Sequence, residues 1–162
     1  MLNFKLSPTM SAMAKDRHRW RLALGPIGSG KTSAVYLTLL AQALEQPVHN
    51  GVRRSRCMVI RNTRAQLKDS VIKTMCGVTP PDGVNVVYKE AELSMLVRLI
   101  GSDGVPAEIL FMFRSLEDEQ DTQRLLSVEL TWVWISEFSE VDLKIAKAAV
   151  SRCGRFPAIA MG

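Results

Sequence analysis

Histidine is scarce in this chain, and His18 and His49 stand alone, which argues against a metal centre built on imidazoles. The three cysteines, Cys57, Cys76 and Cys153, are odd in number and lack C-x-x-C spacing, so neither a disulfide framework nor a zinc knuckle is indicated. That usage fits a reducing compartment. No apolar run approaches the roughly 20 residues that cross a bilayer, and the N-terminus lacks the uninterrupted apolar core of a signal peptide. Repeats and low-complexity tracts are absent too, which excludes solenoids. Extreme charge is also missing. A net +5 and a pI near 9.4 make polyanions attractive partners, yet that excess alone is weak evidence for DNA. What remains is a 162-residue chain of one-domain size with a sizeable core.

The most specific signal is Gly25-Pro26-Ile27-Gly28-Ser29-Gly30-Lys31-Thr32, which satisfies G-x-x-x-x-G-K-[ST] at every fixed position. Such a loop cradles phosphates between a strand and a helix. Trp20 to Leu24 is an apolar run suited to the strand, and Ser33 to Leu44 reads as a buried helix, apolar on nearly all sides. Glycines let backbone amides turn inward, and the helix N-terminus adds partial positive charge. Lys31 is placed to reach the β- and γ-phosphates, and the Thr32 hydroxyl to ligate Mg²⁺.

Downstream, Gln46 to Ser55 reads as an exposed loop carrying the basic cluster Gly51-Val52-Arg53-Arg54-Ser55-Arg56. Cys57-Met58-Val59-Ile60 reads as a buried strand, with Asn62 or Thr63 capping a helix to about Lys73. Cys76 to Gly83 is a loop by composition. Leu93 to Ile100 and Val105 to Phe113 flank Gly101-Ser102-Asp103-Gly104 as an antiparallel hairpin. Asp118 to Leu126 reads as a short helix, Thr131 to Ile135 as a strand covered on both faces, and Val141 to Arg152 as a last helix before Gly154 and Pro157. Strands alternating with helices predict an α/β sheet of largely parallel type, with nucleotide at the strand C-termini.

Hydrolysis needs a group that orients water in line with the γ-phosphate. Glu137, just beyond the apolar strand, occupies a suitable place, with Glu140 as the fallback. Ser136 stands where an Asp commonly helps hold Mg²⁺ through water; a hydroxyl can orient such a water but supplies no charge. Trp132 and Trp134, inside that strand, read as packing residues rather than base-stacking platforms.

Taken in order, these segments resemble the large terminase subunit, the DNA-packaging ATPase of tailed bacteriophages. The likeness rests on residues 25–32, on Gly51-Val52-Arg53-Arg54-Ser55-Arg56 leading to Val59-Ile60-Arg61-Asn62-Thr63 with Leu67 and Lys73-Thr74, on Leu125-Leu126-Ser127-Val128-Glu129-Leu130-Thr131 leading to Glu137, and on Arg152-Cys153-Gly154-Arg155-Phe156-Pro157. The resemblance implies a P-loop NTPase fold of RecA-like, ASCE type: a mostly parallel sheet flanked by helices, with an antiparallel hairpin insertion. It implies one ATPase domain over 1–162, with 1–19 as an extension. Implied too are hydrolysis of Mg-ATP to translocate double-stranded DNA into a procapsid, Glu137 as catalytic residue, and Lys31 and Thr32 as phosphate and magnesium contacts. An arginine supplied across a subunit interface is expected, with Arg124 the candidate and Arg114 and Arg61 the alternatives. The portal, the small terminase subunit and further copies in a ring are the implied partners, no membrane is involved, and the site of action is the infected host's cytoplasm at the procapsid portal.

Family members continue to a Ser/Thr-rich coupling strand and a nuclease domain, whereas this sequence stops at Gly162. It is therefore expected to be incomplete at its C-terminus, without nuclease activity and with exposed apolar surface at the sheet centre. Two other readings stand beside the motor: a small-molecule P-loop kinase, for which no arginine-bearing lid is visible, and a degenerate nucleotide-binding assembly protein without turnover.

Overall fold

The computed structural model describes residues 8–26, 28–78, 83–116 and 127–156. Its organising element is β2 (Val52–Arg61), whose Cys57 to Ile60 run has no alternation because both faces and both edges are covered. On one side β2 pairs in parallel with β5 (Pro106–Ser115), from Arg53↔Ala107 to Arg61↔Ser115. On the other side it carries the two-residue antiparallel β1 (Val48–His49) at its start and the parallel β6 (Trp132–Ile135) along Cys57 to Ile60. Beyond β5 the sheet turns antiparallel through β4 (Ser94–Ile100) and β3 (Asn85–Lys89).

The β4–β5 turn closes through Gly101 N donating to the Val105 carbonyl and Gly104 N to that of Gly101, both at 2.9 Å. A Cβ on Gly101 would come within 2.5 Å of Asp103 Oδ1, so a larger residue here would push that carboxylate aside. Asp103 in turn accepts Val105 N at 3.1 Å and both terminal nitrogens of Arg53, tying the hairpin to β2.

Helices cover both faces. On one, α2 (Lys31–Ala43) and a helical stretch built of α3 (Arg64–Gln66), a π-helical turn (Leu67–Ile72) and α4 (Lys73–Gly77) bury Tyr36, Leu40, Leu67, Val71 and Met75 against Cys57, Val59, Phe111 and Phe113. Tyr36 meets Phe111 edge-on at 5.5 Å between centroids. Thr63 caps α3 by a reciprocal box: Gln66 N donates to Thr63 Oγ1, and Thr63 N to Gln66 Oε1, each at 3.2 Å. On the opposite face, α5 (Leu143–Val150), capped by Asp142, packs Ala146 and Ala149 over Met58, Ile60 and Met112. Preceding these elements, α1 (Pro8–Lys15) lies against α2.

Several expectations need correction. Residues 51–56 are not a loop: β2 begins at Val52, and the basic cluster lies in its strand. Arg53 pairs with Asp103, Arg54 approaches Glu108 at 3.7 Å, and Arg56 stacks over the Phe156 ring at 4.0 Å, which spends its cations within the fold. Trp20 to Leu24 is not a strand; Trp20, Leu22 and Leu24 are 64, 72 and 83 % exposed. A strand exists only by backbone pairing, and no described strand pairs with this segment. Likewise β6 is bonded along one edge only among the described residues, so its residues are half-buried rather than covered. β3 was not anticipated, and Cys76 and Gly77 end α4 instead of opening a loop. The helix expected over 118–126 lies outside the described residues.

Candidate nucleotide site

The phosphate-loop motif forms a turn that feeds α2, as its sequence requires. Ser29 N donates to the Pro26 carbonyl at 3.3 Å, and Gly28 and Gly30 adopt φ of 78° and 77°, left-handed values that glycine accepts without strain. Gly30 is the α2 N-cap, with no side chain satisfying the first-turn amides, so those donors remain available to an anion. Lys31 Nζ folds back onto the loop, donating to the carbonyls of Gly25 at 2.7 Å and Pro26 at 2.8 Å. Ile27 lies outside the described residues.

The chain leaving α2 reaches β1, at the start of β2, within five residues, so α2 runs back against β2 and its N-terminus lies where β2, β5 and β6 end. Ideal helix and strand rises agree. Tyr36 sits over Phe111, which is level with Cys57. Lys31 lies about 7.5 Å from Tyr36 along the helix axis at 1.5 Å per residue. Arg61 lies about 13 Å beyond Cys57 at 3.3 Å per residue. Arg61 therefore stands about 6 Å past the first residue of α2, toward the loop.

Ser136 occupies the same level, since its N–H donates to the Ile60 carbonyl at 2.9 Å and continues the register Ile60↔Ile135. Alternation puts Arg61 with Cys57 and Val59, and Ser136 with Trp132 and Trp134, on the sheet face that α2 covers. Ser136 is buried. Glu137 then breaks the strand with φ 59° and ψ 64°, a left-handed conformation costly for a non-glycine residue, and is exposed. A short turn, Phe138–Glu140, follows, with Glu140 also exposed.

Thus the described residues of the 25–32 loop, Ser136 and Glu137 lie toward one end of the sheet. Arg124 lies outside the described residues. Arg114 Nη1 donates to the Phe113 carbonyl at 2.7 Å. In the 1–19 extension, Arg17 binds Glu45 through both carboxylate oxygens, at 2.7 and 2.9 Å. Burial pushes the Cys57 thiol up, and that of Cys153 too, so neither supplies a ready nucleophile. Among the described residues no cluster of three His, Cys, Asp or Glu side chains could hold a metal, and no helix is long and apolar enough to cross a membrane. What sequence reasoning missed is the juxtaposition of Arg61 with Ser136; its signal is an arginine directly after the apolar run Cys57 to Ile60.

A P-loop-bearing α/β fold with its loop at the C-terminal ends of parallel strands is the class these observations define. No family model matches the chain, and no curated protein matches it in sequence. Solved structures do. The large terminase of a thermophilic bacteriophage, in complex with ADP, superposes with a TM-score of 0.68 over 92 % of this chain and 36 % of that one, at 16 % identity. A second crystal form of that terminase gives 0.66 over 80 % and 30 %, at 17 % identity, and its complex with ATP-γ-S gives 0.62 over 82 % and 29 %, at 15 %. The chain thus shares the fold of these terminases and spans about a third of their length.

Proposed function

We propose that this chain binds Mg-ATP on the 25–32 loop and hydrolyses it, as the ATPase part of a viral DNA-packaging motor of the large terminase kind. The observation that carries this reading is the shared level of the phosphate loop, Ser136 and Glu137 at one sheet end, in a fold shared with terminases crystallised with ATP-γ-S and ADP. In this reading the α2 amides and Lys31 bind the β- and γ-phosphates, Lys31 exchanging its two carbonyl partners for phosphate oxygens. Glu137 takes a proton from a water aligned on the γ-phosphorus, the water oxygen bonds to that phosphorus, and the bond from phosphorus to the ADP oxygen breaks, giving ADP and phosphate.

The hydroxyls of Thr32 and Ser136 suit a hard cation that draws most of its ligands from phosphate and water. Bound there, Mg²⁺ supplies charge neutralisation for the phosphates. Double-stranded DNA, a portal, a small terminase subunit and further copies in a ring complete the proposal, acting in the infected host's cytoplasm.

Release of phosphate from Mg-ATP without any acceptor, lost in Lys31→Ala, tests the reading; transfer to a metabolite would replace it with a kinase. Two observations favour a second reading. With a hydroxyl at 136 and the second edge of β6 unpaired among the described residues, a nucleotide-binding assembly protein without turnover is coherent. Its signature is tight ATP binding with no phosphate release even when DNA is present.

A further inference from the structure

We infer that Arg61 is a terminal-phosphate contact supplied by this same chain, and that Ser70 is the positioning residue that aims it. The inference rests on the triphosphate reading of the 25–32 loop. Arg61 ends β2 at the level of that loop, beside Ser136 and on the α2 face. Its guanidinium is already oriented: Nη1 donates to Ser70 Oγ at 2.5 Å, and Ser70 Oγ donates to the Gln66 carbonyl at 2.7 Å. Among the described residues its Nε, by contrast, is buried without a hydrogen-bond partner. A buried guanidinium donor left unmade is costly, and a planar fork with an unmet donor is what an anionic oxygen satisfies best.

The local fold explains why the pair exists. Thr63 starts the helix two residues after Arg61, and the chain then widens into the π-helical turn Leu67–Ile72 that carries Ser70. The extra residue in such a turn redirects side chains and recurs at functional sites. Here it directs Ser70 back toward the strand end. The neutral Ser136 alongside has a corollary. An aspartate there would sit across the sheet from Arg61 and compete for its fork; a serine leaves the cation free of a carboxylate neighbour on that side.

The contact discriminates between nucleotides, because ADP lacks the phosphate that Arg61 meets. ATP-γ-S and ADP affinities are measured by titration calorimetry on the wild type and on Arg61→Ala, Arg61→Lys and Ser70→Ala, each checked for folding by thermal unfolding. Arg61→Ala is expected to weaken ATP-γ-S about tenfold or more with ADP unchanged, a charge-assisted hydrogen bond being worth that much. Ser70→Ala gives a smaller loss in the same direction, and Arg61→Lys partial recovery. Equal losses for both nucleotides, or none in variants that fold, overturn the inference while leaving the site reading intact. Should Arg61→Ala fail to fold, Ser70→Ala and Arg61→Lys decide by the same comparison. A wild type that binds neither nucleotide overturns the site reading and this inference with it.

Discussion

Lys31 Nζ lies 2.7 Å from the carbonyl oxygen of Gly25, six residues upstream, so the loop's own backbone holds the cation that its motif assigns to phosphate. The lysine is thereby kept at the mouth of the loop instead of extended into water. Removing it leaves two carbonyls that solvent can satisfy. Lys31→Ala is therefore expected to leave the melting temperature nearly unchanged while weakening ATP binding by about 1.5–3 kcal/mol, the worth of hydrogen bonds to a charged group. Calorimetric titration with ATP-γ-S checks the affinity; a large fall in melting temperature would show that the contact is structural.

Glu137 combines a strained backbone with the proposed role in activating water. Glu137→Gln should cut phosphate release by about 10²–10⁴-fold with ATP affinity retained. Glu137→Gly should be equally inactive yet about 1 kcal/mol more stable than the Gln variant, because glycine accepts φ 59° at no steric cost. Denaturant unfolding of the pair, read beside a phosphate-release assay, separates the two effects. Equal stabilities would remove the strain argument.

Ser136→Asp restores a carboxylate to the strand end. Its expected effect is phosphate release that saturates at lower Mg²⁺ than in the wild type, since a second-sphere charge strengthens metal binding. A magnesium titration of the rate checks it, and an unchanged half-saturation point would count against Ser136 facing the metal.

The Arg53 guanidinium beside Asp103 holds its carboxyl below the ordinary value of 3.8, through the hydrogen bond first and the Val105 amide next. A carboxyl depressed in the folded state contributes stability at pH above its unfolded value and loses it as pH falls through the folded one. Asp103→Asn should therefore melt below the wild type at neutral pH, with the gap narrowing once pH drops under 3.8. Melting curves from about pH 7 to about pH 2 test the sign.

At the centre of the α2 face, Phe111 is fully buried against Tyr36, whose hydroxyl burial pushes up to about 12 and so keeps it neutral. Phe111→Ala is expected to cost about 3–5 kcal/mol in denaturant unfolding, the usual penalty for the lost contacts and the cavity left behind. A loss under about 1 kcal/mol would mean that the core collapses freely around the site.

Local chemistry explains which parts of this fold were legible in sequence. The phosphate loop, the Thr63 cap and the Gly101 to Gly104 turn each depend on residues a few positions apart, and all three appear where their composition puts them. Pairing across the sheet is a different matter. Arg53 to Arg56 look like solvent-seeking charge until Asp103, Glu108 and Phe156 arrive from distant segments to meet them. Trp20 to Leu24 failed the other way: its composition suits a strand, but composition cannot provide the neighbour a strand needs. At the site, Ser136 and Glu137 were legible as the end of an apolar run, whereas the Arg61–Ser70 bond depends on a π-helical turn that no simple periodicity announces.

The one-sided ladder of β6 carries a physical consequence for handling the protein. Among the described residues, no second strand pairs with Trp132 to Ile135, and no lysine or proline lies among them to discourage another backbone. Such an edge is a template for another backbone, so self-association in concentrated solution is expected to begin there, and an added gatekeeper charge nearby is expected to keep the molecules apart.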